Sequence, residues 1–212
     1  MQASAPWWFK IVVKIIFSRL PIRYDFWKKF GIFKHGAMDN YEYSIKTFND
    51  HINYSELNEN LSKKVILEIG PGDSIATSFL AHSYGAKSIL VDSGKFVEKD
   101  LSSYHSLLNK INSQNDSLSD ISLESGFEEL LTALNSQYFV NGLDSLKLID
   151  SSSVDLIFSQ AVMEHIRKNE INDSINEFHR ILKPGGVTSH RIDYKDHLDS
   201  SINNLRFSGK IW

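Results

Sequence analysis

The sequence of 212 residues has no cysteine, only four prolines, and no long uninterrupted apolar run. Without cysteine there is no disulfide, no thiol nucleophile, and no zinc or iron–sulfur site with thiolate ligands. No apolar segment reaches the roughly 18–20 residues that a membrane-spanning helix needs. Because Lys10 and Lys14 interrupt the apolar N-terminal stretch and no small-residue cleavage site follows, we expect no secretory signal peptide.

Neither sign of charge dominates the composition. Lysine and arginine number 23 and aspartate and glutamate 26, a formal net charge of −3. This balance provides no broad positive field for nucleic acid, so we expect no nucleic-acid partner. The hydrophobic fraction of 42% is enough for a packed core, and the length suits one domain with an appendage. With no cysteine to require an oxidising compartment, we expect a cytoplasmic protein.

Short apolar runs alternate with helical patterns from Val65 onward. The runs predict five strands, over residues 65–69, 87–92, 138–140, 154–158 and 187–192. Helices are predicted over 73–84, 96–111, 123–134 and 170–182, the first with Asp73 or Ser74 as its N-cap. This alternation is typical of an α/β fold with a doubly wound, mostly parallel sheet.

The first 64 residues carry helical periodicity and no obvious strand, so we predict an N-terminal helical cap over 1–64 and an α/β domain over 65–212. Within 7–20 the helical pattern is apolar except for one narrow polar stripe. Three interpretations of this stretch stay open: a lid over a ligand pocket, a homodimer contact, or a helix lying at the inner surface of a membrane with its tryptophans buried.

The first predicted strand ends in a glycine-rich turn, Glu68-Ile69-Gly70-Pro71-Gly72. Ligands of doubly wound sheets bind at the carboxyl ends of the strands, and small glycines let a ligand approach the backbone. Twenty residues after Gly72, Asp92 ends the second predicted strand. A carboxylate at that place can accept hydrogen bonds from two ribose hydroxyls. The turn therefore predicts a ribose-containing ligand.

The residues of the turn argue against a dinucleotide. Ile75 stands where a dinucleotide loop has its third glycine, and Glu68 and Asp73 place two carboxylates where a diphosphate would lie. They suit a ligand without phosphate and with a cationic amino-acid end, such as S-adenosylmethionine. A nucleotide-sugar or dinucleotide enzyme is the disfavoured alternative.

Five segments resemble one known family. In chain order they are Leu67-Glu68-Ile69-Gly70-Pro71-Gly72, Val91-Asp92, Val154-Asp155-Leu156-Ile157-Phe158-Ser159, Val162-Met163-Glu164-His165-Ile166 and Leu182-Lys183-Pro184-Gly185-Gly186. Together they resemble the class I, Rossmann-like, S-adenosylmethionine-dependent methyltransferases, in the methyltransferase-domain group with an acidic glycine loop and a Leu-Lys-Pro-Gly-Gly segment. The resemblance covers roughly residues 64–193. It implies S-adenosylmethionine as cofactor.

The resemblance also assigns cofactor-binding residues. Glu68, Gly70 and Gly72 would line the methionine end, and Asp92 would hold the ribose. Either Asn141 or Gly142 would lie beside the adenine. Near the sulfonium and the methyl acceptor the resemblance places Gln160, and Ser159 with it.

Ionisable residues are dense after the fifth predicted strand, from His190 to His197. If the acceptor is a hydroxyl, a general base is needed, and histidine is the natural choice. His190 and His197, oriented by Asp193 or Asp196, are the candidates. His165 is either a residue on the acceptor side or a helix-start histidine packed under the pocket. The same cluster could bind a divalent metal, but spacing gives no ligand geometry, and we expect no metal.

We therefore expect a methyltransferase acting on a small-molecule acceptor, or on a glycan- or lipid-linked one, most naturally at oxygen. A full domain of the family has two more strands, and residues 193–212 form no convincing pair. We expect the α/β domain to lack this C-terminal β-hairpin and to be incomplete. The alternative function is therefore a non-catalytic or incomplete methyltransferase-like module that serves as a binding partner.

Overall fold

The computed structural model describes residues 9, 40–57, 60–97 and 101–195. Contacts divide the chain into two compact units, one from His35 to Ile192 and one from the segments Met1–Lys34 and Asp193–Trp212. The helices and strands below all belong to the first unit. His197, the expected loss of the C-terminal hairpin, and the segment 7–20 apart from Phe9 lie outside the described residues, and the predictions on them stay predictions.

A five-stranded parallel sheet forms the centre of the first unit, with the strand order β3-β2-β1-β4-β5. Its strands are β1 (Val65–Ile69), β2 (Lys87–Val91), β3 (Ser136–Phe139), β4 (Val154–Gln160) and β5 (Leu182–Arg191). The α-helices are α1 (Tyr41–Tyr54), α2 (Ala76–Ser83), α3 (His105–Asn115), α4 (Phe127–Ala133), α5 (Leu143–Leu146) and α6 (Ile171–Ile181). This arrangement confirms the predicted doubly wound α/β fold.

Hydrophobic clusters cover both faces of the sheet. Because side chains alternate along a strand, Ile66 lies in the cluster that includes Phe79 of α2, and Leu67 in the cluster that includes Phe178 of α6. Strands covered on both faces read as continuous apolar runs, which is why β1, β2 and β4 were predicted to within two residues.

The connections from β1 and β4 leave the sheet in opposite directions, since β1 leads to β2 on one side and β4 leads to β5 on the other. At such a point the loops after the two strands diverge and leave a crevice at the carboxyl ends. The glycine turn after β1 and the loop after β4 border this crevice. The topology therefore puts the predicted site residues near the carboxyl ends of the strands.

Among the predicted boundaries that are wrong are the start of the fifth strand and the start of the helix predicted over 96–111. The fifth strand is predicted to begin at Val187, but β5 begins at Leu182, which pairs with Val154 directly after α6. The register shifts before the next pair, Leu156 with Val187, and Gly185 within the irregularity has φ +80°. Likewise, the helix predicted over 96–111 is a 3₁₀ helix, Leu101–Tyr104, followed by α3.

A buried carboxylate joins three strands at the opposite, amino-terminal edge. Asp155 in β4 accepts hydrogen bonds from the backbone N–H of Val65 (2.9 Å), from Lys64 Nζ (3.0 Å) and from Lys183 Nζ (2.5 Å). The lysine of the Leu-Lys-Pro-Gly-Gly segment therefore has a structural ion pair far along the strands from the crevice.

Among the described segments, every helix falls short of the length and apolarity needed to cross a bilayer. Within the same segments, no three histidine, aspartate or glutamate side chains gather as metal ligands would.

Candidate functional site

The glycine turn after β1 packs directly against the loop after β4. Gly70 has φ +70° and donates its N–H to the carbonyl of Val91 at 2.8 Å. A Cβ atom at this position would lie 2.5 Å from Cγ2 of Val162. Glycine is thus required at position 70 both by the left-handed backbone and by the close approach of a neighbouring side chain.

Asp92, directly after β2, joins the glycine turn to the loops after β2 and β3. Its Oδ2 accepts the N–H of Gly72 at 3.0 Å, and its Oδ1 accepts the N–H of Ser93 at 2.6 Å. The N–H of Gly142 donates to the Asp92 carbonyl at 2.8 Å. These bonds hold the carboxylate in a fixed orientation at the carboxyl end of the sheet.

A cavity of about 680 Å³ opens beside Asp92 at the carboxyl ends of β1, β2 and β3. Cavities of this size hold small-molecule ligands. Its lining includes five residues predicted from the sequence, namely Gly70, Asp92, Asn141, Gly142 and His165. Ser93, Val162 and Phe178 also line it and were not predicted. Two of them carried a sequence signal: Ser93 follows Asp92 directly, and Val162 opens the segment that also contains His165.

Glu68 lies behind the turn and does not line the cavity. It is 2% exposed, and its Oε2 has no hydrogen-bond partner among the described residues. The pKa of Glu68 is raised to about 8, chiefly by burial; the nearby Thr77 hydroxyl opposes this shift and the charge of Asp92 adds to it. A buried carboxyl oxygen without a hydrogen-bond partner beside a glycine turn suits a cationic ligand group, whose charge would favour the ionised form of the acid. The turn therefore fits S-adenosylmethionine.

The start of α2 uses its N–H groups within the protein. The N–H of Gly72 is bound by Asp92, that of Ile75 donates to the Tyr104 hydroxyl at 2.8 Å, and that of Ala76 donates to Ser74 Oγ at 3.1 Å. The N-cap is Ile75, so the prediction of Asp73 or Ser74 was wrong. Phosphate-binding helix starts offer such N–H groups to the ligand. Their engagement here is a second argument against a dinucleotide.

Gln160, at the end of β4, is not on the cavity wall and points to α1. Its Nε2 donates to the hydroxyl of Tyr43 at 3.0 Å, and its side chain also hydrogen-bonds His51. Nδ1 of His51 lies 2.7 Å from Oγ of Ser189 in β5. Burial lowers the pKa of His51, which is 3% exposed. No local pattern could have linked Tyr43 and His51 to strands more than 100 residues away.

His190, in β5, does not line the cavity and lies behind its wall. Its Nδ1 is 2.8 Å from Oγ of Ser159, and its ring stacks on Phe178 with centroids 5.7 Å apart. Burial lowers the pKa of His190, and the nearby His51 lowers it further. Because Phe178 lines the cavity, one ring separates His190 from it. His165 is exposed on the wall itself, so the structure does not bring these two histidines together.

Comparison with known proteins gives one family match. The family described as "Methyltransferase domain" matches residues 67–189, more than half of the chain. A search of curated sequences finds no significant match.

Solved structures with a similar fold are distant in sequence. Phosphoethanolamine N-methyltransferase 2 of Haemonchus contortus is 18% identical, with a TM-score of 0.43, over 68% of this chain and 28% of its own. An S-adenosylmethionine-dependent methyltransferase of Mesorhizobium loti is 17% identical, with a TM-score of 0.40, over 66% and 51%. The YcgJ protein of Bacillus subtilis is 20% identical, with a TM-score of 0.43, over 73% and 56%. The chain thus spans between about a quarter and just over half of these structures.

Proposed function

Because the chain belongs to the methyltransferase domain family, we propose that it transfers a methyl group from S-adenosylmethionine to a small-molecule, glycan-linked or lipid-linked acceptor, at oxygen. The family match confirms the membership predicted from the five sequence segments. The observation that carries the proposal is the cavity at the carboxyl ends of the strands, which gathers Gly70, Asp92, Asn141 and Gly142 in one lining.

We assign the cofactor to this cavity with its ribose at Asp92. The fixed carboxylate would accept the ribose hydroxyls, and Asn141 and Gly142 would flank the adenine. Gly70 and Gly72 would leave room for the methionine end. Glu68 lies behind them, and the arriving ammonium charge would lower its pKa and favour the ionised carboxylate. When bound, the cofactor supplies an electrophilic methyl group.

His190 is the residue we propose as general base. An acceptor hydroxyl must lose its proton, and a neutral imidazole can take it at Nε2 when Nδ1 carries a hydrogen and donates to Ser159 Oγ. The lowered pKa of His190 keeps the ring neutral at pH 7. For His190 to act, the acceptor hydroxyl would lie beside Phe178, within reach of both the cofactor methyl group in the cavity and the His190 ring. His165 on the wall stays a candidate for acceptor contact.

Titration calorimetry with S-adenosylmethionine and S-adenosylhomocysteine tests cofactor binding. We expect both to bind the wild-type protein, and Asp92→Ala to weaken binding about ten- to hundredfold, since charge-assisted hydrogen bonds are lost. Asp120→Ala removes an exposed carboxylate away from the cavity and should bind as the wild type does. A folded wild-type protein that binds neither ligand would disprove the proposal, and undiminished affinity in Asp92→Ala would remove the ribose role.

Transfer of labelled methyl from S-adenosylmethionine into a small-molecule extract separates an enzyme from a binding module. Labelled product that is missing in Asp92→Ala supports the enzyme, and its methyl resonance distinguishes oxygen from nitrogen. Cofactor binding without any transfer to small molecules, glycans or lipids would favour the non-catalytic module instead.

A further inference from the structure

Helix α2 follows the glycine turn, and its N-cap residue makes no side-chain hydrogen bond to the helix start. Its N-cap residue, Ile75, has an apolar side chain that accepts no hydrogen bond. The first N–H groups of a helix have no partner inside the helix and need one from elsewhere. Since Ile75 and Ala76 are both buried, water does not satisfy these groups, and a protein side chain must do so.

Tyr104 supplies the missing cap from 29 residues further along the chain. Its hydroxyl oxygen accepts the N–H of Ile75 at 2.8 Å. The same hydroxyl donates to Ser74 Oγ at 3.4 Å, and Ser74 Oγ accepts the N–H of Ala76 at 3.1 Å. One phenol hydroxyl and one serine hydroxyl therefore satisfy the first two N–H groups of the helix.

Packing fixes the orientation of the Tyr104 ring. It stacks on Phe79, one turn further along α2, with centroids 5.1 Å apart and planes 22° from parallel. Tyr104 is 6% exposed and Ser74 is 3% exposed. The hydroxyl is thus held rigidly above the helix start.

Asp92 holds the other end of the same turn through the N–H of Gly72 at 3.0 Å. Two side chains from the segment after β2 therefore hold the backbone between β1 and α2, one at Gly72 and one at Ile75. Tyr104 itself does not line the cavity, so the route from its hydroxyl to a bound ligand runs through the turn. The conformation of the turn is set by residues outside it.

We propose that Tyr104 is a positioning residue for the cofactor, which shapes the turn between Gly72 and Ile75 through its hydroxyl. This inference rests on the proposed function. Without the hydroxyl, the Ile75 N–H has no partner and the turn loses its fixed conformation before binding. Ordering it then becomes part of the binding process and lowers affinity. Because the proposed function puts the methionine end, which both forms share, beside this turn, S-adenosylmethionine and S-adenosylhomocysteine should lose affinity equally.

The test compares Tyr104→Phe with Ser136→Ala by calorimetry and thermal unfolding. Ser136 Oγ bonds Ser78 Oγ at 2.7 Å and Ser88 Oγ at 2.8 Å, so its removal also breaks buried hydrogen bonds beneath α2, but not at the turn. We expect both variants to unfold at lower temperature than the wild type. Only Tyr104→Phe should bind both ligands more weakly, by about five- to tenfold for one net hydrogen bond.

A double-mutant cycle with Ser74→Ala gives the second readout. Because Ser74 and Tyr104 share one hydrogen-bond network, the double variant should lose less affinity than the two single losses combined. If Tyr104→Phe binds both ligands as the wild type does, Tyr104 is merely structural and the inference fails alone. If the wild type binds neither ligand, the proposed function fails and this inference fails with it.

Discussion

Two ionisable side chains show opposite consequences of burial at the scale of single residues. Glu68 is neutral at pH 7 because burying its negatively charged carboxylate is unfavourable. His190 is neutral because burying its positively charged imidazolium is unfavourable. In both cases the charged form is disfavoured. For the acid this leaves a proton bound, and for the base it leaves a lone pair available.

Glu68→Gln should abolish one component of the pH dependence of stability. The folded protein keeps the Glu68 proton up to about pH 8, whereas the unfolded chain releases it near its ordinary pKa of 4.5. The folded state therefore binds more protons between these values, and this contribution to stability declines as pH rises from 4.5 to 8. Thermal unfolding of the ligand-free protein at pH 5, 6, 7 and 8 measures it.

The wild-type curve minus the Glu68→Gln curve should fall with pH across this window. Glu128→Gln, on the exposed surface of α4, gives a control curve parallel to the wild type. A Glu68→Gln curve that is likewise parallel to the wild type would mean that Glu68 is ionised in the folded protein at neutral pH.

His190→Asn should remove the rise of the methyl-transfer rate with pH on the acid side of its pH profile. The pKa of His190 lies below its ordinary value of 6.5, so the wild-type rate should rise with pH below 6.5 and level off above it. Asparagine keeps a polar contact with Ser159 but accepts no proton, so the rate should fall about 10²- to 10⁴-fold. Stopped assays with the acceptor identified by labelled transfer, from pH 5 to 8, measure this.

The affinity for S-adenosylhomocysteine should be unchanged in His190→Asn, because His190 does not line the cavity. His179→Asn, an exposed position on α6 next to Phe178, should leave the pH profile intact. Full activity in His190→Asn would exclude the residue as the general base.

At the scale of elements, the carboxyl and amino ends of the strands have different roles. The carboxyl edge carries the cavity, and the amino edge carries Asp155 with Lys64 and Lys183. Burial of Asp155 works against ionisation, but hydrogen bonds from Lys183, Val65 and Lys64 lower its pKa on balance. Its contribution to stability is therefore fully present at pH 7 and is lost as pH falls through that lowered pKa.

Asp155→Asn should destabilise the fold by about 1–3 kcal/mol, because the ties among β1, β4 and β5 lose their charge-assisted bonds. Urea unfolding at pH 7 measures the loss. The affinity for S-adenosylhomocysteine should not change, since the site lies at the other edge. Asp144→Asn breaks the exposed pair with Lys147 and should leave urea stability unaltered. Equal effects of the two variants would show that the buried pair has no special role.

Elements with apolar runs could be predicted from the sequence, and elements formed by tertiary hydrogen bonds could not. β4 was found because every residue before its last, Gln160, is buried. The start of β3 at Ser136 was missed because polar Ser136 is buried only through its bonds to Ser78 and Ser88. The start of α2 was misplaced because its cap comes from Tyr104, which has no local signature.

At the scale of the whole molecule, site residues could be predicted where a single strand end determines their position. They could not be predicted where contacts between distant segments determine it. Gly70, Asp92 and Gly142 each lie at or just after the end of a predicted strand, and the parallel sheet brings them to one cavity. Gln160 also follows its strand, but contacts with Tyr43 and His51 turn it toward α1. Helix α1 belongs to the same compact unit as the sheet, although the sequence alone indicated a separate cap.

The strand order also determines when β1 can pair with its neighbours during synthesis on the ribosome. β1 is central in the sheet, yet one of its two partners, β4, lies about 90 residues downstream. This is the sequence separation between Val65 and Asp155, which are hydrogen-bonded to each other. At roughly 5–20 residues per second, a ribosome needs about 5–20 seconds to make that interval. During this time β1 can pair only with β2 and presents an apolar open edge. The nascent chain therefore has a window of aggregation risk, in which a chaperone that shields β1 would raise the yield of folded protein.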